Sequence, residues 1–291
     1  GPFAGTDAPV LQIVLAGTSE ALWRAGANGL SARDIAMNVA LPEIDGRILA
    51  RAISFKGLAR RDAATGADIV AHRPVPDRLA FAASLAAAWC RLRRTQAGER
   101  HIALVLANYP NRDGRIGNGV GLDTPAGTVV VLQAMQASGY RIEDIPADGD
   151  ALVARLAEGP TNAGSAGRDI RETLSLAEYE IFLTGLPKPV RDAVVGRWGQ
   201  PEADPFFLPG HTDCGAFAIP AFRCGNVAIC LQPARGYNID PVASYHDPSL
   251  VPPHNYLAFY AWLRTIFGAH AVIHMGKHGN LEWLPGKSVA L

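Results

Sequence analysis

No run of 18 or more apolar residues occurs anywhere in the 291-residue chain, so no segment has the length of a membrane-spanning helix. Neither sign of charge dominates: 27 Lys and Arg are matched by 27 Asp and Glu. Without a basic excess, a general nucleic-acid binder is not expected. Cysteine is scarce, four in all, at positions 90, 214, 224 and 230, and no two form a CxxC pair. The reading is of reduced thiols in a cytoplasmic protein, with Cys214 and Cys224 the one pair open to a labile disulfide or soft-metal site. The opening Gly1-Pro2-Phe3-Ala4-Gly5 has neither the charged nor the long apolar part of a secretory leader. Repeats and low-complexity tracts are also missing. What the chain does have is apolar content, 48%, enough to bury the core of one large domain or two small ones.

Short apolar runs alternate with helical patterns. Val10 to Leu15 reads as a buried strand, followed by a helix capped by Thr18 or Ser19. Ser31-Ala32-Arg33-Asp34 opens another helix, and Arg47 to Phe55 alternates as a strand. Residues 63–74 turn polar and suggest a boundary, giving a small α/β segment over 1–75 and a main α/β domain over 76–291. In the second part a helix is expected over Asp77–Arg94, with Leu79, Leu85, Ala88, Trp89 and Leu92 on one face. Ile102–Leu106 is a central-strand run. Thr124-Pro125 offers a capping hydroxyl and a first-turn proline, with Gly139 just past the helix end. A helix follows over Gly149–Glu158, then a small polar loop at Pro160–Gly167 that is expected to be mobile. Helices follow after Ser175 and over Pro189–Trp198, and Pro201–Gly215 reads as irregular. Val227–Leu231 and Ala271–His274 are strands, joined through a long loop and an amphipathic helix over His254–Phe267. If those two strands are adjacent and parallel, they form a right-handed βαβ unit. The expected fold is α/β: an open, mostly parallel sheet with flanking helices, whose strand-end loops form a cleft where ligands sit.

Three segments at strand carboxyl ends carry the chemistry. In the first, Asn108 to Asp123, glycines allow close backbone approach, and Arg112 and Arg115 can clamp a carboxylate. Gly117, Gly119 and Gly121 lie too far past the strand for a dinucleotide fingerprint, and no P-loop Gly-Lys-Ser/Thr is present. The bland alternative is a long surface loop whose charges pair with each other. The second segment, His274 to Lys287, holds two His, two Lys and a Glu. Its glycines and Pro285 argue against a helix, so a bent loop would aim His278 and Glu282 into the cleft, with His274 nearby as a further metal ligand. Capping or surface ion pairing is the alternative for each of them. In the third, Gln232 to Pro241, Arg235 or Tyr237 can face a planar ligand, although turn formation by Asn238 and Asp240-Pro241 is the favoured reading of this segment. His211-Thr212-Asp213-Cys214 lacks partners at metal spacing. His72, His101 and His270 read as structural, while His246 and His254 can join the long loop to the site.

Taken together, Asn108-Tyr-Pro-Asn-Arg-Asp-Gly-Arg-Ile-Gly-Asn-Gly-Val-Gly-Leu-Asp-Thr-Pro-Ala126, Gly225-Asn226-Val227 leading to Gln232-Pro233 and Gly236-Tyr237, and His274-x-Gly-x-His278-Gly-x-x-Glu282-x-x-Pro285-Gly286-Lys287 resemble the large-subunit family of cobaltochelatases and magnesium chelatases. Lys277 and the residues after Asn280 look closer to the cobalt branch. The resemblance implies a tetrapyrrole-binding catalytic subunit that inserts Co2+, the substrate metal, into hydrogenobyrinic acid a,c-diamide during cobalamin synthesis. It also implies AAA+ motor partners of the CobS and CobT type that hydrolyse ATP. No tightly bound cofactor, nucleic acid or membrane is expected. The residues so assigned are Glu282 and His278 for catalysis, and Glu282, His278 and His274 for the metal. Asn111, Arg112, Asp113, Arg115, Asp123, Arg235, Tyr237 and Lys277 are assigned to the substrate. Family large subunits are far longer than this chain, so an internal fragment, inactive alone, is expected. A magnesium-branch subunit, a non-catalytic tetrapyrrole scaffold and an unrelated metal-dependent hydrolase are the alternatives.

Overall fold

The computed structural model describes residues 5, 8–108, 111–237, 247–276, 281 and 284–287. They form two compact units, Gly1–Arg94 with Gly286–Leu291, and Thr95–Pro285.

In the first unit β1 (Leu11–Ala16) runs parallel to β2 (Ile48–Arg61), and β2 turns back into antiparallel β3 (Asp68–Pro74). Ser19 caps α1 (Glu20–Ala25) and Ser31 caps α2 (Ala32–Ile35), each accepting a backbone N–H from the first turn. A π-turn (Ala36–Ala40) then leads into α3 (Leu41–Ile44). The core is small: Val14, Ala16, Leu30, Ala52, Phe55 and Val75.

Two expectations change here. The strand expected to stop at Phe55 continues to Arg61, and the polar stretch after it is a hairpin. The Asp62 carboxylate holds the turn by accepting from the Ala64 and Thr65 N–H groups. This end of the hairpin is largely solvent-exposed, so its polar composition marks exposure of a ribbon rather than a break between domains. The helix α4 (Pro76–Arg94) also packs with this first unit, and the division between units falls after Arg94. Arg78 donates from Nε to the Ala52 carbonyl at 2.5 Å and lies over the Trp23 ring, while Arg51 sits 3.5 Å from the Phe81 ring centroid. The buried face is therefore led by Arg78 and Ala82, and Leu79 is exposed.

The second unit is built on a four-stranded sheet in the order β10-β11-β4-β12: Ala221–Cys224, Val227–Leu231, Ile102–Leu106 and Ala271–Met275. β4 is parallel to both neighbours, and only β10 is antiparallel. β4 and β11 are buried at every position, which is why both read as unbroken apolar runs. Their side chains alternate between two cores. Ile102, Leu104, Leu106, Val227, Ile229 and Leu231 meet α5 (Thr124–Ala137) and α6 (Gly149–Glu158) on one face. Ala103, Val105, Ala228 and Cys230 meet the other helices on the opposite face. There α7 (Leu176–Gly185) starts from a Ser175–Glu178 capping box, and α9 (His254–Thr265) lies between the sheet and a second, antiparallel one. That second sheet has the order β7-β9-β8: Glu172–Ser175, Ala216–Ile219 and Phe207–Leu208. α8 (Lys188–Trp198) connects α7 to it. A short hairpin, β5 (Asn118–Gly119) with β6 (Leu122–Asp123), precedes α5.

The α/β class and the mostly parallel sheet stand as expected. β11 and β12 are parallel but not adjacent, because β4 lies between them. α9 is not amphipathic in place: Tyr256, Ala258, Phe259, Ala261, Trp262 and Leu263 are all buried, since apolar layers cover it on two sides. No helix among the described residues is long and apolar enough to cross a membrane.

Candidate functional site at the carboxyl rim of the sheet

Parallel pairing brings the three sequence segments together. In register, Leu106 of β4 lies beside Leu231 of β11 and Met275 of β12, so all three chains leave the sheet at one rim. The Gln232 N–H donates to the Leu106 carbonyl at 2.9 Å, which ties the roots of two of the segments. A Cβ placed on Gly276 would lie 3.6 Å from the Ala107 Cβ, so the third segment departs against the first.

The first segment folds back on itself. Asn108 is buried and bridges to Ile116, its side chain donates to the Arg112 carbonyl at 3.0 Å, and the Gly117 N–H donates to the Ala107 carbonyl at 2.8 Å. This places Arg112 and Arg115 on either side of a 3-10 turn, both exposed. Neither guanidinium has a hydrogen bond or ion pair among the described residues, so the charges do not pair with each other as a self-satisfied loop would require. Asn111 is half-buried. Asp113 is engaged at both oxygens: Oδ1 accepts from the Thr161 hydroxyl and Oδ2 from Arg168, each at 2.6 Å. Burial pushes its pKa up, but the Thr161 and Arg168 hydrogen bonds with the Arg168 charge outweigh that and hold it below the ordinary carboxylate value. Asp123 caps α5 by accepting from the Ala126 N–H at 3.1 Å, a role expected of Thr124. Thr124 is instead buried at the first helical position, where a Cβ on Gly119 would come within 2.7 Å of its hydroxyl. Only glycine fits at 119.

The loop expected to be mobile, 160–167, is a hydrogen-bonded hub. Asn162 donates to the carbonyls of Gln232 at 3.0 Å and Asn108 at 3.4 Å, and its Oδ1 accepts from the Ala234 N–H at 2.9 Å. One amide thus joins the ends of two adjacent parallel strands. Arg168 also donates to the carbonyls of Ala157 and Gly159. Thr161, Asn162 and Arg168 escaped the sequence reading. Their partners lie 48 to 72 residues away for Thr161 to Asp113, Asn162 to Ala234 and Arg168 to Asp113, and small polar composition gives no hint of such pairings.

Arg235 and Tyr237 of the third segment are built into the protein. Arg235 is 2% exposed and donates to the Asp247 carbonyl at 2.5 Å. The Tyr237 hydroxyl donates to Asp204, and its ring meets Trp198 edge-on at 5.0 Å. Asp204 is buried and also accepts from the Asn255 and Phe206 N–H groups; burial raises its pKa despite these donors. His254, expected to join the loop to the site, is fully buried between the Tyr179 hydroxyl and the Gly199 carbonyl. His101 and His270 are structural as expected, bonded to each other at the entry to β4 and β12. His274 is exposed near the end of β12. Lys277, His278 and Glu282 lie outside the described residues, as does His246. Among the described residues no group of three His, Cys, Asp or Glu is placed to hold a metal ion, and all four cysteines are free thiols.

Three buried polar atoms at the roots of these segments lack a protein partner among the described residues: Asn108 Oδ1, Thr124 Oγ1 and Gln232 Nε2.

A family model described as CobN/Magnesium Chelatase matches residues 3–291. The chain belongs to the CobN/magnesium chelatase family. It is 62% identical over 286 residues to the aerobic cobaltochelatase subunit CobN of Sinorhizobium sp, covering 98% of this chain and 22% of that protein. It is 48% identical over 288 residues to the CobN subunit of Pseudomonas aeruginosa, covering 98% of this chain and 23% of the relative. The solved catalytic subunit of cobaltochelatase from Mycobacterium tuberculosis superposes with a TM-score of 0.84 at 42% identity, over 98% of this chain and 23% of that one. The chain therefore spans about a quarter or less of the length of these CobN-family proteins.

Proposed function

We propose that this chain forms part of the tetrapyrrole-binding, catalytic subunit of an ATP-dependent cobaltochelatase, acting in the cytoplasm on hydrogenobyrinic acid a,c-diamide. The observation that supports this best is the convergence of three chelatase-type segments on one rim of a parallel sheet, with Arg112 and Arg115 unpaired there among the described residues. The CobN names of its relatives favour the cobalt branch. ATP is hydrolysed by AAA+ partners of the CobS and CobT type, and the chain itself holds no tightly bound cofactor.

In the reaction the inner N–H proton of the corrin leaves as the substrate Co2+ enters the ring. Glu282 accepts a proton or transiently ligates the incoming ion, with His278 as its partner and His274 on the approach. Arg112 and Arg115 hold acidic substituents of the macrocycle through charge-assisted hydrogen bonds, the geometry for which guanidinium is suited. Asn111, Asp123 and Lys277 line the same segments. Asp113, Arg235 and Tyr237 are proposed to shape the substrate site by holding its loops, because their polar groups are engaged with protein partners.

The test is Glu282→Gln in the complete subunit with its motor partners, ATP and Co2+. Macrocycle binding, followed by tryptophan quenching, is expected to be retained, while insertion falls on the order of a hundredfold or more. Normal turnover would reject the assignment of Glu282. Weakened macrocycle binding with an insertion rate retained at saturating macrocycle in an Arg112→Ala/Arg115→Ala variant would separate the anchoring role from the chemistry.

A further inference from the structure

A cavity of about 370 Å³ opens in the first unit, remote in sequence from the chelatase-type segments, and no role is assigned to it above. It sits at the carboxyl end of β1, where β1 runs parallel to β2, the position at which α/β sheets receive ligands. Arg33, Lys56 and His72 line it together with Asp34, Leu15 and Met37. Lys56 and His72 are direct cross-strand partners on the β2–β3 hairpin, so their side chains share one face. The Lys56 N–H donates to the Thr18 carbonyl, which holds this pair at the end of β1.

The charges are unequally engaged. Asp34 is spent: its oxygens accept from the Gly17 N–H at 3.1 and 3.0 Å, from the Ser31 hydroxyl at 2.8 Å and from the Asn38 amide at 3.3 Å. Arg33 and Lys56 have no side-chain hydrogen bond or ion pair among the described residues. Two permanent cations against one carboxylate leave the cavity one net positive charge, with the His72 ring as a further polar contact. Leu15 and Met37, 51% and 58% exposed among the described residues, add an apolar wall.

We propose that this cavity binds a free organic monocarboxylate, with the carboxylate on Arg33 and Lys56 and the apolar body on Leu15 and Met37. A singly charged anion matches the net charge, the Arg33 fork can donate to both carboxylate oxygens, and the volume lies at the lower end of small-molecule sites. The inference is independent of the chelatase reading.

The test is calorimetric titration of the full-length protein with sodium benzoate, its neutral isostere benzamide and phenyl phosphate, at fixed ionic strength. Benzoate is expected to bind about tenfold or more tighter than benzamide, and Arg33→Ala/Lys56→Ala to remove about the same factor. Both side chains are exposed, and circular dichroism checks that the doubly substituted protein keeps its fold. Equal affinity for benzoate and benzamide, unaltered benzoate binding in the double variant, or tighter binding of phenyl phosphate than of benzoate would each overturn the proposal.

Discussion

Within one short segment, Asp113 and its arginine neighbours serve opposite ends. Arg112 and Arg115 beside it stay exposed and unpaired among the described residues, while its own carboxylate locks the loop to Thr161 and Arg168. Because its folded pKa is depressed, it adds stability that is present above the unfolded value, about 3.9, and is lost as pH falls through the lower folded value. Arg168→Ala is expected to cost about 2 kcal/mol near neutral pH, as for a lost hydrogen bond to a charged group. The cost shrinks as pH falls through the lowered folded value of Asp113, where the carboxyl becomes protonated in both proteins, to a remainder from the Ala157 and Gly159 carbonyl bonds. Urea unfolding of both proteins near pH 7 and near pH 3 checks this, and an equal loss at the two pH values would count against it. Tyr237→Phe removes one donor from the buried Asp204 carboxylate and is expected to cost about 1–3 kcal/mol, read from the same urea midpoints.

Between elements, α6 approaches the backbone of α5 closely. A Cβ on Gly149 would lie 2.8 Å from the Ala126 backbone nitrogen. Alanine is the better helix former by about 1 kcal/mol, whereas forcing two packed helices apart costs about 1–3 kcal/mol. The steric term is the larger, so Gly149→Ala is expected to lower the melting temperature. Because Ala126 follows the Asp123 cap, the displacement is also expected to reach the Arg112–Asp123 segment and weaken macrocycle binding in the complete subunit. An unchanged melting temperature would show that the helix pair yields without strain. Most of these elements were readable in advance: Ser19, Ser31 and Ser175 cap where their residue types suggested, and β4 and β11 read as buried strands because both their faces are covered. The sequence of α9 suggests an amphipathic helix, but both its sides are buried, since the second sheet that covers it is assembled from strands distant in sequence.

For the chain taken whole, burial sorts the four thiols. Cys90 and Cys214 are exposed, whereas Cys224 and Cys230 lie in the two cores of the second unit. Burial pushes the Cys224 thiol up to about 11 and the Cys230 thiol higher still. A thiol reagent near pH 8 is expected to modify two cysteines of the native 291-residue chain quickly and the other two only on unfolding. Rapid reaction of all four would mean that the central sheet is not packed as described.

Local chemistry was enough to announce this protein's strands, its helix starts and the three segments that carry its family character, because apolar runs, capping hydroxyls and glycine-rich turns act within a few residues. What depended on the folded chain was which charges are free. Asp113 is consumed and Arg112 is not, Asn162 joins two strand ends, and Arg235 and Tyr237 are drawn into the interior. Those outcomes are set by partners dozens of residues away, brought within hydrogen-bonding distance only when parallel strands align their carboxyl ends.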